Sequence, residues 1–168
     1  RASFDLSWLY ETKLPELLST LDYEDSTDPL YITMGNARLK REHDYLFELR
    51  HHRLFPRLQL NLMLKLSYGH TINPVVSAFC YNPSTGVYRT KPMNTPSHNR
   101  YNAELDYDQG LGISWRLHNK MTAEWARSYG YLLATNFNQP LHLNPLSRFT
   151  YKDNMELSYE KQSLSVKP

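Results

Sequence analysis

Apolar and polar residues alternate along most of this chain. Between residues 57 and 68 it reads RLQLNLMLKLSY. Leu58, Leu60, Leu62, Leu64, Leu66 and Tyr68 fall in one phase of a two-residue repeat, and Gln59, Asn61, Met63, Lys65 and Ser67 in the other. Side chains of a strand point alternately to opposite faces, so the stretch predicts a strand with one apolar and one mostly polar face. The same alternation recurs. Phe4, Leu6, Trp8 and Tyr10 oppose Ser3, Asp5 and Ser7, and Tyr45, Phe47 and Leu49 oppose Asp44, Glu48 and Arg50. Tyr101, Ala103, Leu105 and Tyr107 oppose Asn102, Glu104, Asp106 and Asp108, and this phase runs on through Leu111, Ile113, Trp115 and Leu117. Residues 101–117 therefore read as one strand longer than about 50 Å at roughly 3.3 Å per residue, with a break near Gly110 as the alternative. Met121, Ala123 and Trp125 form a further run, and Phe149, Tyr151, Met155, Leu157 and Tyr159 the last. The helical period is weak everywhere, apart from one possible turn in residues 14–21. The predicted fold class is all-β, an antiparallel up-and-down meander.

Two kinds of connection take turns between these runs. Residues 53–57, 118–120 and 160–162 read as short ones, and residues 11–42, 70–100 and 131–147 as long ones. Within the second long connection, residues 81–88 read as a hairpin tip, with Pro83 and Gly86 supplying the turn. Strict alternation of short and long places every long loop at one end of the sheet. Long irregular loops are uncommon in compact soluble domains but routine in outer-membrane barrels, which also carry aromatic residues where strands meet lipid headgroups. Trp8, Tyr10, Tyr68, Tyr101, Tyr107 and Tyr159 all lie in the apolar phase.

Composition narrows the chemistry. The chain has 168 residues and a formal charge of +2, which implies no strong field for nucleic acid. Cys80 is the single cysteine, so there is no internal disulfide framework. No apolar run is long enough for a membrane-spanning helix. The start, RASFDLSW, reads like an excised or processed piece. His51 and His52 are adjacent and would face opposite ways in a strand, and no metal-binding histidine motif occurs. Residues 22–28 gather four acids, a calcium candidate that lacks the spacing of an EF-hand and reads as a solvated acidic loop. The basic cluster of residues 38–43 likewise reads as solvated surface. The serines lack a nucleophile setting, and no glycine-rich phosphate loop is present. No enzyme activity and no cofactor are expected.

Residues 14–52 resemble a segment of TonB-dependent outer-membrane receptors, most of all those of the Bacteroidetes type. In these a strand leads into a loop with the pattern P-x-x-x-x-L, then a D-P-L-like turn, then G-N-P-x-L-K-P-E. Pro15, Leu18, Leu21, Asp28, Pro29, Leu30, Gly35, Asn36, Leu39, Lys40 and Glu42 match. Ala37 and Arg41 depart from it, standing where the family usually has prolines, which should loosen the loop. Downstream, residues 67–107 are similar to the family's outgoing strand, hairpin and returning strand: Ile72 begins the loop, Ser84, Thr85 and Gly86 cap the hairpin, and Asn94 precedes the return. The likeness covers nearly the whole chain in pattern and is specific around residues 35–42 and 83–94.

The resemblance implies that residues 1–168 are one partial barrel domain of about seven strands, from a barrel of about 22. Its seventh strand would start in residues 163–166. Long loops would be extracellular and short turns periplasmic. No plug domain and no TonB-engaging motif is visible. The implied partners are outer-membrane lipid, the remaining barrel strands and plug of the parent protein, and TonB through that plug. Tyr23, Asp25, Tyr81, Tyr88, Arg89, Phe137 and Asn138 are the candidate ligand-contacting residues, chosen by loop position and residue type. The alternative is a soluble extracellular β-sandwich, a binding or adhesion module whose apolar phase packs a core.

Overall fold

A computed structural model describes residues 2–160. In order these form β1 (Ala2–Lys13), a single helical turn α1 (Leu17–Thr20), β2 (Glu24–Asp28), β3 (Tyr31–Met34) and β4 (Glu42–Phe55). There follow β5 (Leu60–Ile72), β6 (Val75–Asn82), β7 (Val87–Asn94), β8 (Ser97–Leu111), β9 (Trp115–Tyr131) and β10 (Leu143–Tyr159). Two sheets result. The six long strands make an antiparallel meander in the order β1-β4-β5-β8-β9-β10, here called the wall. The short strands make a second sheet in the order β2-β3-β7-β6, built from the first two long loops.

The wall has two chemically distinct faces. Strand register aligns Trp8, Phe47, Tyr68, Tyr101, Trp125 and Phe149 into one row across all six strands. Adjacent rings in this row lie close: 4.7 Å between the centroids of Tyr68 and Tyr101, and 5.3 Å between Tyr101 and Trp125. The next row toward the short turns is Leu6, Leu49, Leu66, Ala103, Ala123 and Tyr151. At the turn end Leu111, Trp115 and Tyr159 close the apolar face. This face packs against no second sheet among the described residues: Leu6 stays 79% exposed and Phe149 67%. The soluble-sandwich alternative requires that face to be covered, and it is bare.

The other face carries the ion pairs of the wall. Lys13 Nζ lies 2.7 Å from Asp44, Arg50 and Lys65 both reach Glu48 (2.5 and 2.9 Å), Lys120 reaches Glu104 (2.9 Å) and Arg148 reaches Glu124 (3.1 Å). All belong to the polar phase that the alternation predicts.

Several boundaries differ from the sequence reading. The Leu-rich strand starts at Leu60, not Arg57, and runs on to Ile72. β4 continues to Phe55, and Pro56–Leu58 form a 3-10 turn that Gln59 ends in a left-handed conformation (φ 48°). Proline fixes its own φ and has no N–H for the ladder, so the chain leaves the sheet at Pro56 and Leu58 drops out of the apolar row. Residues 101–117 are two strands rather than one. The break falls at residues 112–114, with Gly112 at φ +78°, so the notion of a single strand fails and the division lies two residues beyond Gly110. Gly110 serves another purpose: its N–H donates to Gln59 O (2.9 Å), and a Cβ there would stand 2.2 Å from Gln59 Oε1. Residues 118–120 are not a turn but lie inside β9. Asn119 sits in the apolar phase, only 8% exposed, and its Nδ2 donates to Asp153 Oδ1 on β10 at 3.0 Å. That bond lets two polar residues interrupt an apolar face.

With the turns relocated, short and long connections still alternate. The three long ones leave the same end of the wall. Glu160 follows β10, its N–H donating to Ser114 O (2.8 Å), while the rest of the third short connection and the seventh strand lie outside the described residues.

Candidate functional site

The long loops fold into a shared structure at one end of the wall, and a few residues explain why. After β3 the chain passes so close to itself that a Cβ on Gly35 would stand 1.9 Å from the carbonyl oxygen of Leu21. Only glycine fits there. Gly35 N–H donates to Tyr23 O (3.0 Å) and Asn36 N–H to Ser19 O (2.7 Å), which pins the segment after β3 onto the start of the loop. Asn36 Nδ2 then donates to Pro92 O (2.8 Å), across to the second loop. Asn94 completes the junction: its Oδ1 accepts from Lys40 N–H (2.8 Å), and its Nδ2 donates to Lys40 O (3.1 Å) and Asn73 O (2.7 Å). The third loop joins through Tyr131, whose hydroxyl donates to Asn94 O (2.6 Å), and through Tyr81 N–H donating to Ala134 O (2.8 Å).

Register sorts the side chains of the loop sheet into two faces. Tyr31, Tyr88 and Tyr81 align on one face, with ring centroids 5.5 and 4.5 Å apart. The neighbouring row, Ile32, Arg89 and Cys80, faces the other way and holds the small core of this sheet. Ile32, Ala78 and Cys80 are buried. Burial pushes the Cys80 thiol pKa above its ordinary value, which makes a poor nucleophile. The β6–β7 hairpin closes as its sequence predicts, with Gly86 N–H donating to Asn82 O (2.8 Å) and Gly86 at φ +72°.

The seven candidate ligand-contacting residues therefore fall into separate places. Tyr81 and Tyr88 stand together on the open tyrosine face. Arg89 lies on the opposite face, 3.9 Å from Glu24. Tyr23 lies just before β2, where its backbone braces Gly35. Asp25, on β2, turns its carboxylate onto Thr27, accepting from the hydroxyl (2.6 Å) and the amide (3.0 Å), and these bonds hold its pKa below the usual range. Asp28 likewise caps Leu30 N–H (2.9 Å), so two of the acids in residues 22–28 are spent on local turns. Asn138 is exposed in a turn held by Asn136 (3.1 Å). Phe137 enters a cleft.

That cleft, about 570 Å³, lies where the three long loops meet. Arg38 and Lys40 reach it from the first loop, Lys91, Asn94 and Thr95 from the second, and Tyr131, Phe137 and Leu141 from β9 and the third. In the sequence residues 38–43 read as solvated surface. Only their spacing from Lys91 in space, not in sequence, marks them. A second cleft of about 640 Å³ opens on the charged face of the wall near the loop end, between Glu11, Lys13, Asp44, Arg100, Glu124 and Arg148. In that cleft the charges are of both signs and largely paired.

The height of the apolar face defines the class of protein. Trp115 and Trp125 are ten residues apart on β9, which is about 33 Å of strand and, at the ~40° tilt usual in membrane barrels, about 25 Å along the membrane normal. That matches the hydrocarbon-facing band of a transmembrane β-barrel, bounded at both ends by aromatic residues and backed by a polar inner face. The particular family follows from comparison: residues 2–164 match the model of the outer membrane protein beta-barrel family, and the chain belongs to it. No curated protein and no solved structure matches it. The wall is thus a stretch of outer-membrane barrel, with its apolar face toward lipid and its ion-paired face toward the lumen.

Proposed function

We propose that this chain supplies lipid-facing wall and extracellular ligand-contacting loops to a TonB-dependent receptor or transporter of the Bacteroidetes type. The observation that carries the reading is the junction between the loops. The two stretches most specific in the resemblance, residues 35–42 and 83–94, are the ones joined by the Asn36–Pro92 and Lys40–Asn94 bonds. Residues shared with the receptors thus hold the ligand-side loops together. Two further features support it. β1 and β10 each have an edge with no partner among the described residues, and an open edge is untenable in lipid, so further strands complete a barrel larger than six. The charged inner face suits a wide lumen that holds water or a plug. On this reading the chain's partners are outer-membrane lipid, the remaining strands and plug of the parent protein, and TonB acting through that plug. The chain performs no catalytic step in this role.

Growth on a panel of nutrients tests the proposal, comparing cells that lack this protein with cells that lack TonB. A nutrient whose use is lost in both strains is the expected result. A defect caused by loss of this protein, with growth intact in the TonB-less strain, would sink the TonB-dependent role and leave a passive barrel.

A further inference from the structure

The cleft between the three long loops is electrostatically one-sided. Arg38, Lys40 and Lys91 line it, no acidic residue does, and none of the three makes an ion pair among the described residues. Several cations of the molecule are held by carboxylates, Lys13, Arg50, Lys65, Lys120 and Arg148 each with an acid partner within 3.1 Å; what sets the cleft apart is three cations lining one concavity that no acid lines. Acids of the neighbouring loops are engaged away from the cleft, Glu24 with Arg89 and Glu42 with the amide of Val75 (2.5 Å). A second observation is independent of charge. Thr95 also lines the cleft, is 2% exposed, and its hydroxyl has no hydrogen-bond partner among the described residues. A buried hydroxyl left unpaired costs free energy unless something supplies the missing bond. Tyr131, Phe137 and Leu141 form the apolar wall, with Tyr131 fixed by its bond to Asn94 O.

Resting on the receptor reading above, we infer that this cleft binds a small soluble polyanion, a carboxylate- or phosphate-bearing molecule with an apolar or aromatic part. Oxyanion groups meet Arg38, Lys40 and Lys91, which offer charge-assisted hydrogen bonds. The Thr95 hydroxyl donates to one of those oxygens and so loses its unpaired state. The apolar part of the ligand lies against Phe137 and Leu141. Three unpaired cations in one concavity also raise the local concentration of anions and speed their capture, an effect that falls with ionic strength.

Titration calorimetry on the purified outer-membrane protein in mild detergent tests this, with phenyl phosphate and citrate as probes and phenol and glycerol as uncharged counterparts. The anions are expected to bind and the uncharged molecules not. Lys91→Gln and Arg38→Gln are each expected to weaken phenyl phosphate about tenfold, the scale of one lost charge-assisted bond. Affinity should fall as salt rises. Thr95→Val separates a ligand contact from a structural role, because it removes the unpaired hydroxyl without changing shape. It should leave the melting temperature unchanged or higher while weakening the anion several-fold. Equal binding of phenol and phenyl phosphate, no binding of either anion, or affinities indifferent to Lys91→Gln and Arg38→Gln would each overturn the proposal. Binding to vesicles rich in phosphatidylglycerol, but to neither soluble anion, would also overturn it and make the cleft a lipid-headgroup contact. Calorimetry involves no transport, so loss of the TonB-dependent role in the growth test leaves this result standing, and the reverse holds too.

Discussion

The wall and the loop sheet solve the same problem in different solvents. In the loop sheet, as in a water-soluble sheet, apolar residues are turned inward: Ile32 on β3 and Ala78 and Cys80 on β6 are buried. The wall has almost no interior. Among its described residues only Asn119 is buried, while its leucines and aromatics stay open on one face. Water would make such a surface an aggregation hazard, whereas lipid is the partner it needs. The lesson is that "exposed" has opposite meanings a few residues apart along β5 or β9. Polar groups follow the same logic in reverse. On the lumen side of the wall they form cross-strand ion pairs, and in the loops they tie backbone to side chain through Asn36, Asn94 and Glu42.

The largest test of this contrast is a charge placed on either face at one depth. Leu105→Arg, in the middle of the apolar face, is expected to cost about 2–4 kcal/mol of stability in lipid vesicles, as charges at a bilayer midplane do. Thr122→Arg, on the ion-paired face beside Glu104, is expected to change it by less than ~0.5 kcal/mol. Equal costs in urea unfolding would mean that the apolar face does not meet lipid.

Next in size is Gly35→Ala, which has no room against the Leu21 carbonyl and should cost the loop sheet about 1–3 kcal/mol. The wall should be spared. Alkylation of Cys80 reads this out, because the buried thiol with its raised pKa reacts slowly while the loop sheet is closed. At a fixed pH below that pKa the variant should label faster, and in both proteins the rate should climb as pH rises. An unchanged labelling rate would show that the segment after β3 does not hold the core of the loop sheet shut.

Asn94→Ala removes three side-chain hydrogen bonds at the loop junction and is expected to cost about 1–3 kcal/mol locally. Amide hydrogen exchange at Lys40 should accelerate while the amides of β5 and β8 hold. Smallest of all is Lys120→Ala. Its ion pair with Glu104 is partly exposed, so the loss should stay below ~1 kcal/mol and shrink further in salt. A larger effect would mean that the lumen face is drier than its exposure indicates.

Much of this contrast is legible in the sequence, because strand alternation reports the face directly. The residues assigned to the apolar phase of β1, β5, β8 and β10 do share one face, and so do the charged residues opposite them. The hairpin at Gly112 was hidden for a geometric reason. Leu111 pairs with Trp115 across three turn residues, and an odd number of turn residues returns the chain in the same phase. Alternation alone then cannot distinguish a turn from a continued strand. Three polar residues in a row, His118 to Lys120, mimic a turn because the side-chain partner of Asn119 is Asp153, 34 residues away. The cationic cleft was hidden for a similar reason. Arg38 and Lys91 belong to different loops, and only the Asn36 and Asn94 bonds bring those loops together.

The outer edges of β1 and β10, which have no strand partner among the described residues, have a consequence for how such a protein comes apart. A masonry arch has no stable fragment, since each stone rests on both neighbours and removing one brings down the rest. Every interior strand here is likewise hydrogen-bonded on two sides, and within the hydrocarbon layer there is no water to take over a lost neighbour's role. Partial opening of the wall is therefore far more costly than partial opening of the loop sheet, whose strands can return to water one at a time. The two halves of one chain should differ in cooperativity as sharply as they differ in chemistry, with the loops breathing above a wall that is either whole or lost.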